Sequence, residues 1–393
     1  MILIAGYDEA GILYGVMDFQ NYYLGTRLYE DSTAFLNTDN YFDTAFARLP
    51  KYEKTSAPAF ENRGIWTWGH CIYDYRAFFD NMMTLKLNQV VIWNDYAPIN
   101  GREIVDYAHN RGIKVYWGFS WGWDVDCLKP GFRIDDDAVI EEWGEKVLRQ
   151  YRDNYAGMGG DGVYFQSFTE LKEDKIGDVV VADAVVKWVN RIGGRLLDKY
   201  PNLQIQFGLH ATSVNTHLDM IAKVDTRIRI VWEDCGSFPY DYRPNQIDYF
   251  DSTMKFNEQI CALRDGKEQF GAVLKGMTKL DWSIFEHQAG SFVLGYCDER
   301  LRNRRRQIKS NVWKILQSYW LENSEYALRM ISQIAELTSS DAHMQILVED
   351  GCFEDFIPFP VALCAQMLWD PSGTSPEIIG QTARIPSVRF EIP

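Results

Sequence analysis

The residues best suited to chemistry are carboxylates and aromatics that collect at the ends of short apolar runs. Gln166, Phe168 and Glu170 end one run at a spacing of two, and Trp66, Trp68 and His70 end another in the same way. In an extended strand that spacing puts side chains on one face. Other runs end in Trp93-Asn94-Asp95, in Ser120-Trp121-Gly122-Trp123-Asp124, in His210, in Trp232-Glu233-Asp234, and in Lys275 followed by Asp281-Trp282 and Glu286-His287. Acids and indoles together suit the cleavage of a glycosidic bond. A carboxylic acid protonates the leaving oxygen, and a second carboxylate, or a substrate acetamido group held by one, handles the anomeric carbon. The acid must stay protonated near neutral pH, so an aromatic wall beside it is expected. Glu170, two residues after Phe168, suits that role, and Glu233 or Asp234 could supply the second carboxylate. Trp66, Trp68, Trp93, Trp121, Trp232 and Trp282 could face the apolar side of a sugar, with His70, Asn94, Gln166 and His210 on its hydroxyls. The plainer alternatives are core indoles, a loop glutamate and a structural ion pair at Glu233.

These groups need a scaffold that brings strand ends together. From residue 60 onward, apolar runs at 63–69, 89–94, 113–119, 161–168, 203–209, 227–233 and 270–277 alternate with amphipathic stretches of helical period. That is the signature of βα units and a parallel sheet. With an eighth run at 291–296, the pattern predicts an α/β fold, a (β/α)₈ TIM barrel over residues 59–300. Such a barrel takes about 250 residues and carries its active site at the C-terminal ends of its strands. No GxGxxG opens the first unit, which counts against an open dinucleotide-binding sheet. Residues 1–58 read as a partial small α/β domain, with a strand at Ile2–Ala5 and a helix over 10–24, followed by a linker. Residues 301–393 read as a helical segment packed on the barrel.

Composition narrows the partners. The chain has 393 residues, 15% of them aromatic, including 13 Trp; so many large flat faces suit a sugar cleft. Its formal net charge of −15 argues against nucleic acid or an anionic membrane as partner. The basic cluster Arg302, Arg304, Arg305 and Arg306 reads as a solvated or ion-paired helix face. Seven scattered Cys, without a CxxC pair, suggest free thiols in a reducing compartment rather than zinc or disulfides. No membrane-spanning stretch or leader is legible, so a cytoplasmic location is expected. GxSxG, HExxH and Walker loops are missing. His70, His210 and His287 lack the His-x-His spacing that would make a metal site with Asp95 or Asp234 attractive, and no metal or cofactor is expected. The expected partner is a carbohydrate; a homo-oligomer is left open.

Several segments resemble a known group. AGYDEAGILYGVMDF, with Gly11-Ile12-Leu13-Tyr14-Gly15 at its centre, is similar to the end of the small domain that precedes the barrel in glycoside hydrolase family 20 β-hexosaminidases and family 67 α-glucuronidases. PAFENRGIWTWG at 58–69 resembles their first strand, LKLNQVVIWND and YAHNRGIKVYWGFSW their second and third. DGVYFQSFTE resembles the fourth strand of the α-glucuronidases, whose terminal glutamate is the acid; the resemblance therefore implies the acid role for Glu170. Family 20 enzymes place an Asp immediately before that acid, where this chain has Thr169. The implied activity is an exo-acting glycosidase on a terminal N-acetylhexosamine or hexuronic acid. The alternatives are a non-catalytic carbohydrate-binding barrel and, more weakly, a lyase or isomerase using Lys275 as base.

Overall fold

A computed structural model describes residues 2–24, 53–68, 72–94, 96–119, 121, 133–210, 213–233, 250–264, 270–276, 290–348 and 353–390. Eight parallel strands close into a barrel: β1 (Asn62–Trp68), β2 (Gln89–Trp93), β3 (Lys114–Gly118), β4 (Gly162–Gln166), β5 (Gln204–Leu209), β6 (Ile228–Glu233), β7 (Phe270–Leu274) and β8 (His343–Leu347). The main helices are α1 (Glu9–Asp18), α2 (Tyr75–Thr84), α3 (Gly101–His109), α4 (Asp137–Gln150), α5 (Val181–Lys199), α6 (Phe250–Cys261), α7 (Glu299–Leu337), α8 (Phe359–Trp369) and α9 (Ser375–Thr382). The fold is the TIM barrel that the alternating runs predict.

The eighth strand is not where the apolar runs place it. β8 pairs with β7 at His343↔Gly271 and with β1 at Asn62↔His343, so the barrel closes well past residue 300. Residues 290–296 instead form a loop tied to the barrel rim, with single bridges Pro98↔Phe292 and Asp74↔Tyr296. Gly295 there has φ +70°, and a Cβ would lie 2.6 Å from the Tyr75 nitrogen, so the segment is a glycine turn rather than a strand. The C-terminal segment is mainly helical, as expected. It also holds the 39-residue α7, the last strand of the barrel, and α8.

Helix α8 (FPVALCAQMLW) is buried on every face. A helix apolar all round needs cover on both sides, and it packs against α7, α9 and β8. The N-terminal piece adds to that cover. Asp8 caps α1, its side chain accepting from the Gly11 N–H at 2.7 Å. Tyr14 meets Trp369 edge-on at 5.5 Å, and Asp18 pairs with the buried Lys86 at 2.7 Å. Arg63 at the start of β1 sits 4.9 Å from the Trp369 ring and donates to the Lys86 carbonyl at 2.7 Å. Ile2–Ala5 is not a strand, because none of its backbone pairs with a neighbouring strand among the described residues. The helix expected over 10–24 is present as α1, continued by a π-helical turn at Phe19–Leu24. No helix among the described residues is long and apolar enough to cross a membrane.

Inside the barrel, Trp66, Val91, Trp93, Tyr116, Tyr164, Val231, Val273 and Leu347 form one apolar cluster. The larger core lies between the strands and the helices. After β8, Glu354 is buried and its Oε1 accepts from the Tyr73 N–H at 2.5 Å. Burial pushes its carboxyl from the usual 4.5 to about 8. A folded-state value above the unfolded one favours folding fully below pH 4.5, and that contribution is lost as pH rises through about 8. Glu354→Gln should therefore flatten the alkaline loss of stability. The variant should gain on the order of a few kcal/mol over the wild type at pH 9 relative to pH 5. Urea unfolding at both pH values reads the difference; parallel wild-type and variant profiles would count against a neutral Glu354.

Candidate active site

β4 directs Tyr164 and Gln166 into the barrel at strand period, and the chain then turns into a single 3₁₀ turn, Phe168–Glu170. The turn breaks the alternation. Phe168 faces outward and meets Trp188 of α5 edge-on at 5.1 Å, whereas the Glu170 side chain stays 42% exposed. Phe168 is therefore a core residue and does not form the aromatic wall expected beside Glu170. Thr169, fully buried, anchors the turn to β5. Its hydroxyl accepts from the His210 N–H at 3.1 Å and its carbonyl from the Ser213 N–H at 3.3 Å.

Glu233 ends β6 with no exposure at all. Tyr164 donates to its Oε1 at 2.8 Å and Gln166 at 2.6 Å. Its other oxygen meets His210 Nε2 at 2.9 Å and the Lys275 ammonium, just past β7. Gly208 makes room on β5, since a Cβ there would lie 2.6 Å from Glu233 Oε1 and 2.5 Å from the Tyr164 hydroxyl. His210 Nε2 also lies 2.8 Å from Glu170 Oε1. One imidazole nitrogen thus faces both carboxylates, whose oxygens lie within about 6 Å of each other.

The electrostatics follow from those contacts. Burial pushes the Glu233 carboxyl up, but the charges of His210 and Lys275 and the hydrogen bonds from His210 and Gln166 outweigh it. They hold Glu233 well below the usual carboxylate range. Burial likewise pushes Glu170 up, and the His210 hydrogen bond and charge, helped by Lys275, bring it below its usual value. With no ligand bound, both carboxylates are therefore anions, opposed by His210 and Lys275. Among the described residues no group of three or more His, Cys, Asp or Glu is placed to hold a metal ion.

The other expected site residues separate by strand parity. Trp66 and Trp93 point inward, 5.9 Å apart, with the Tyr164 ring 5.8 and 6.0 Å away; each is 1% exposed. They form the layer beneath Glu233 rather than an open sugar platform. Trp121 stacks on Phe165 at 3.5 Å, and Trp232 packs on Phe256 of α6 at 5.3 Å. Both are 1% exposed core residues on the outer side of their strands. Asn94 is buried, its side-chain oxygen accepting from the Tyr96 N–H at 3.1 Å. Gln166 and His210 do converge on the two glutamates. Trp68 lies in β1 beside Trp93 in register. His70, Asp234 and Trp282 lie outside the described residues. Sequence reasoning missed Tyr164, whose signal was its place two residues before Gln166 on β4. It named Lys275 only as a base, although an ammonium one residue beyond β7 can reach a carboxylate at the end of the neighbouring β6.

No protein-family model and no curated protein matches the chain. Among solved structures, it is similar to a glycoside hydrolase family 5 enzyme from Prevotella bryantii in complex with a xyloglucan tetradecasaccharide, at 11% identity and TM-score 0.50, over 81% of this chain and 100% of that one. The family 20 β-N-acetylhexosaminidase of Streptomyces coelicolor matches at 10% identity and TM-score 0.43, over 83% of this chain and 69% of that one. A Thermobaculum terrenum O-GlcNAc hydrolase mutant matches at 18% identity and TM-score 0.34, over 44% and 41%. The chain thus spans less than two thirds of some of the structures it matches. At such identities the likeness concerns the fold, and it rests on the family 5 structure.

Removing one partner of a buried ion pair leaves an uncompensated charge. Lys275→Met should therefore destabilise the protein by about 3–5 kcal/mol, read as a lower urea midpoint at pH 7. The double variant Lys275→Met/Glu233→Gln should recover part of that loss. A Lys275→Met midpoint equal to that of the wild type would refute the assignment of Lys275 as the counter-charge of Glu233.

Proposed function

We infer that the chain is an exo-acting glycoside hydrolase acting on a terminal sugar of the N-acetylhexosamine or hexuronic acid class, with Glu170 as its general acid. The observation that carries this reading is the half-exposed Glu170 carboxylate at the strand-end rim, 2.8 Å from a histidine that a fully buried glutamate holds in place. Active sites of such barrels sit at this rim. Glu233 is too enclosed to meet a sugar, so its part is to orient His210. Asp234, next in the sequence, remains the candidate for the second carboxylate.

The cycle begins with an ionised Glu170. A sugar ring that covers the carboxylate strips its water, and loss of solvation raises a carboxyl's pKa. His210 then holds the nearest proton. Transfer from Nε2 to Glu170 Oε1 leaves a neutral imidazole and a carboxylic acid facing the glycosidic oxygen. Proton donation from that acid to the glycosidic oxygen, as water or the second carboxylate bonds to the anomeric carbon, breaks the C–O bond and returns Glu170 to its anionic state, to be reprotonated by water or through His210. A second reading, a non-catalytic carbohydrate-binding barrel, draws on the downward shift of Glu170, since an acid ionised in the free protein need not donate.

The two readings part on hydrolysis of α- and β-aryl glycosides, including the N-acetylglucosaminide and the glucuronide. The expected result is turnover of one substrate, with kcat/KM lowered about 10²–10⁴-fold in Glu170→Gln. Sugar binding without any turnover would move the assignment to a binding module, and full activity in Glu170→Gln would remove it as the acid. His210→Gln keeps a hydrogen-bond donor but removes the proton that His210 holds for Glu170. The alkaline limb of wild-type kcat/KM is the loss of that shared proton, so the variant's limb should fall at lower pH; an unmoved limb would separate His210 from the acid.

A further inference from the structure

The mouth of the barrel opposite Glu170 is also polar and hollow. Asn62, Lys114, Gln204 and His343 are the first residues of β1, β3, β5 and β8, and Arg229 is the second of β6. These strand starts line a cavity of about 390 Å³, together with Arg227 and Asp341. Arg229 and Glu233 lie four residues apart on one strand, so the cavity sits about 13 Å below the carboxylates at 3.3 Å per residue. It is a separate place from the site above.

Its lining runs against the charge of the whole. The chain carries −15, yet three cations, Lys114, Arg227 and Arg229, line this cavity against one acid, Asp341. Arg229 is paired with Asp341 at 2.6 Å and Arg227 with Asp225 at 2.6 Å. Lys114 has no ion-pair partner among the described residues, so one positive charge is left over. Beside it, Gln206 and His343 supply a fixed polar surface. Gln206 Nε2 lies 3.0 Å from His343 Nδ1, and its carbonyl accepts from Gln345 at 2.6 Å. Burial, with the nearby charges of Arg229 and Lys114, pushes the His343 ring well below the usual histidine value. The ring is therefore neutral and hydrogen-bonds without competing for an anion. TIM barrels more often fill this end with bulky branched side chains.

We propose that this lower cavity is a binding site for a small hydroxylated anion, with Lys114 and Arg227 meeting its charged group and the amide-lined wall meeting its hydroxyls. A carboxylate and a phosphate share that chemistry, and the volume admits a molecule of monosaccharide size. The site does not depend on the glycosidase reading.

The test is isothermal titration of inorganic phosphate, gluconate and uncharged glucose into wild type, Glu170→Gln, Lys114→Met, Lys114→Arg and Arg227→Gln. Saturable binding of phosphate or gluconate, but not glucose, is expected, and the tighter of the two names the anionic group. Affinity should be unchanged in Glu170→Gln, at least tenfold weaker in Lys114→Met and Arg227→Gln, and kept within about threefold in Lys114→Arg. Melting curves check that each variant is folded. Absence of saturable binding by either anion would overturn the proposal. So would equal affinity in folded Lys114→Met and Arg227→Gln, or loss in Glu170→Gln, which would move the anion to the catalytic mouth.

Discussion

An ionised carboxylate with no solvent exposure is the constraint around which this barrel is organised. Left alone, the Glu233 charge would cost several kcal/mol, so each neighbouring strand gives something up to it. β4 places Tyr164 and Gln166 at strand period and spends both on one oxygen. β5 gives up a side chain at Gly208 to let that oxygen in. Lys275 follows β7 and His210 follows β5, and both meet the other carboxylate oxygen.

The same inward positions explain why the barrel is polar at both ends and apolar only between. On β6 the inward residues run Arg229, Val231, Glu233, and on β3 they run Lys114, Tyr116, Gly118. The valine and tyrosine belong to the inner apolar cluster, together with Trp66, Trp93, Tyr164, Val273 and Leu347. That band separates the Arg229–Asp341 pair below from the Glu233–Lys275 pair above. Only the upper pair is buried on both sides, whereas the Asp341 side chain is 45% exposed, so loss of one partner costs most at Glu233–Lys275.

Seven of the eight strands were legible because each apolar run, even with polar residues inside it as in QIQFGL and IRIVWE, is set off by amphipathic stretches of helical period. The eighth was not, for a physical reason. HMQIL puts His343 and Gln345 on its inward face, where they meet Gln206 and the lower cavity, so hydrophobicity alone skips it. FVLGY at 292–296 reads as a strand until Gly295 is seen to turn against Tyr75. The site was legible as a set of positions but not as directions. Trp66 and Trp93 fall inward while Trp121 and Trp232 fall outward, and a one-residue uncertainty at a strand end inverts that assignment. Glu170 and His210 were each named by position but not as partners, because the 3₁₀ turn that aims Glu170 at His210 follows no strand period.

Thr169 shows how the charge constraint reaches into the sequence. The residue before Glu170 is a fully buried threonine. The centre already sets two anions, Glu170 and Glu233, against the Lys275 ammonium and the His210 ring. A third buried anion at 169 would stand beside Glu170 without a cation of its own, and like charges that close cannot both stay ionised. Threonine adds no charge, and its hydroxyl instead accepts from the His210 N–H. Position 169 thus fixes the backbone of the histidine without adding a charge to the centre. Thr169, Gln166 and Glu233 together hold His210 beside Glu170.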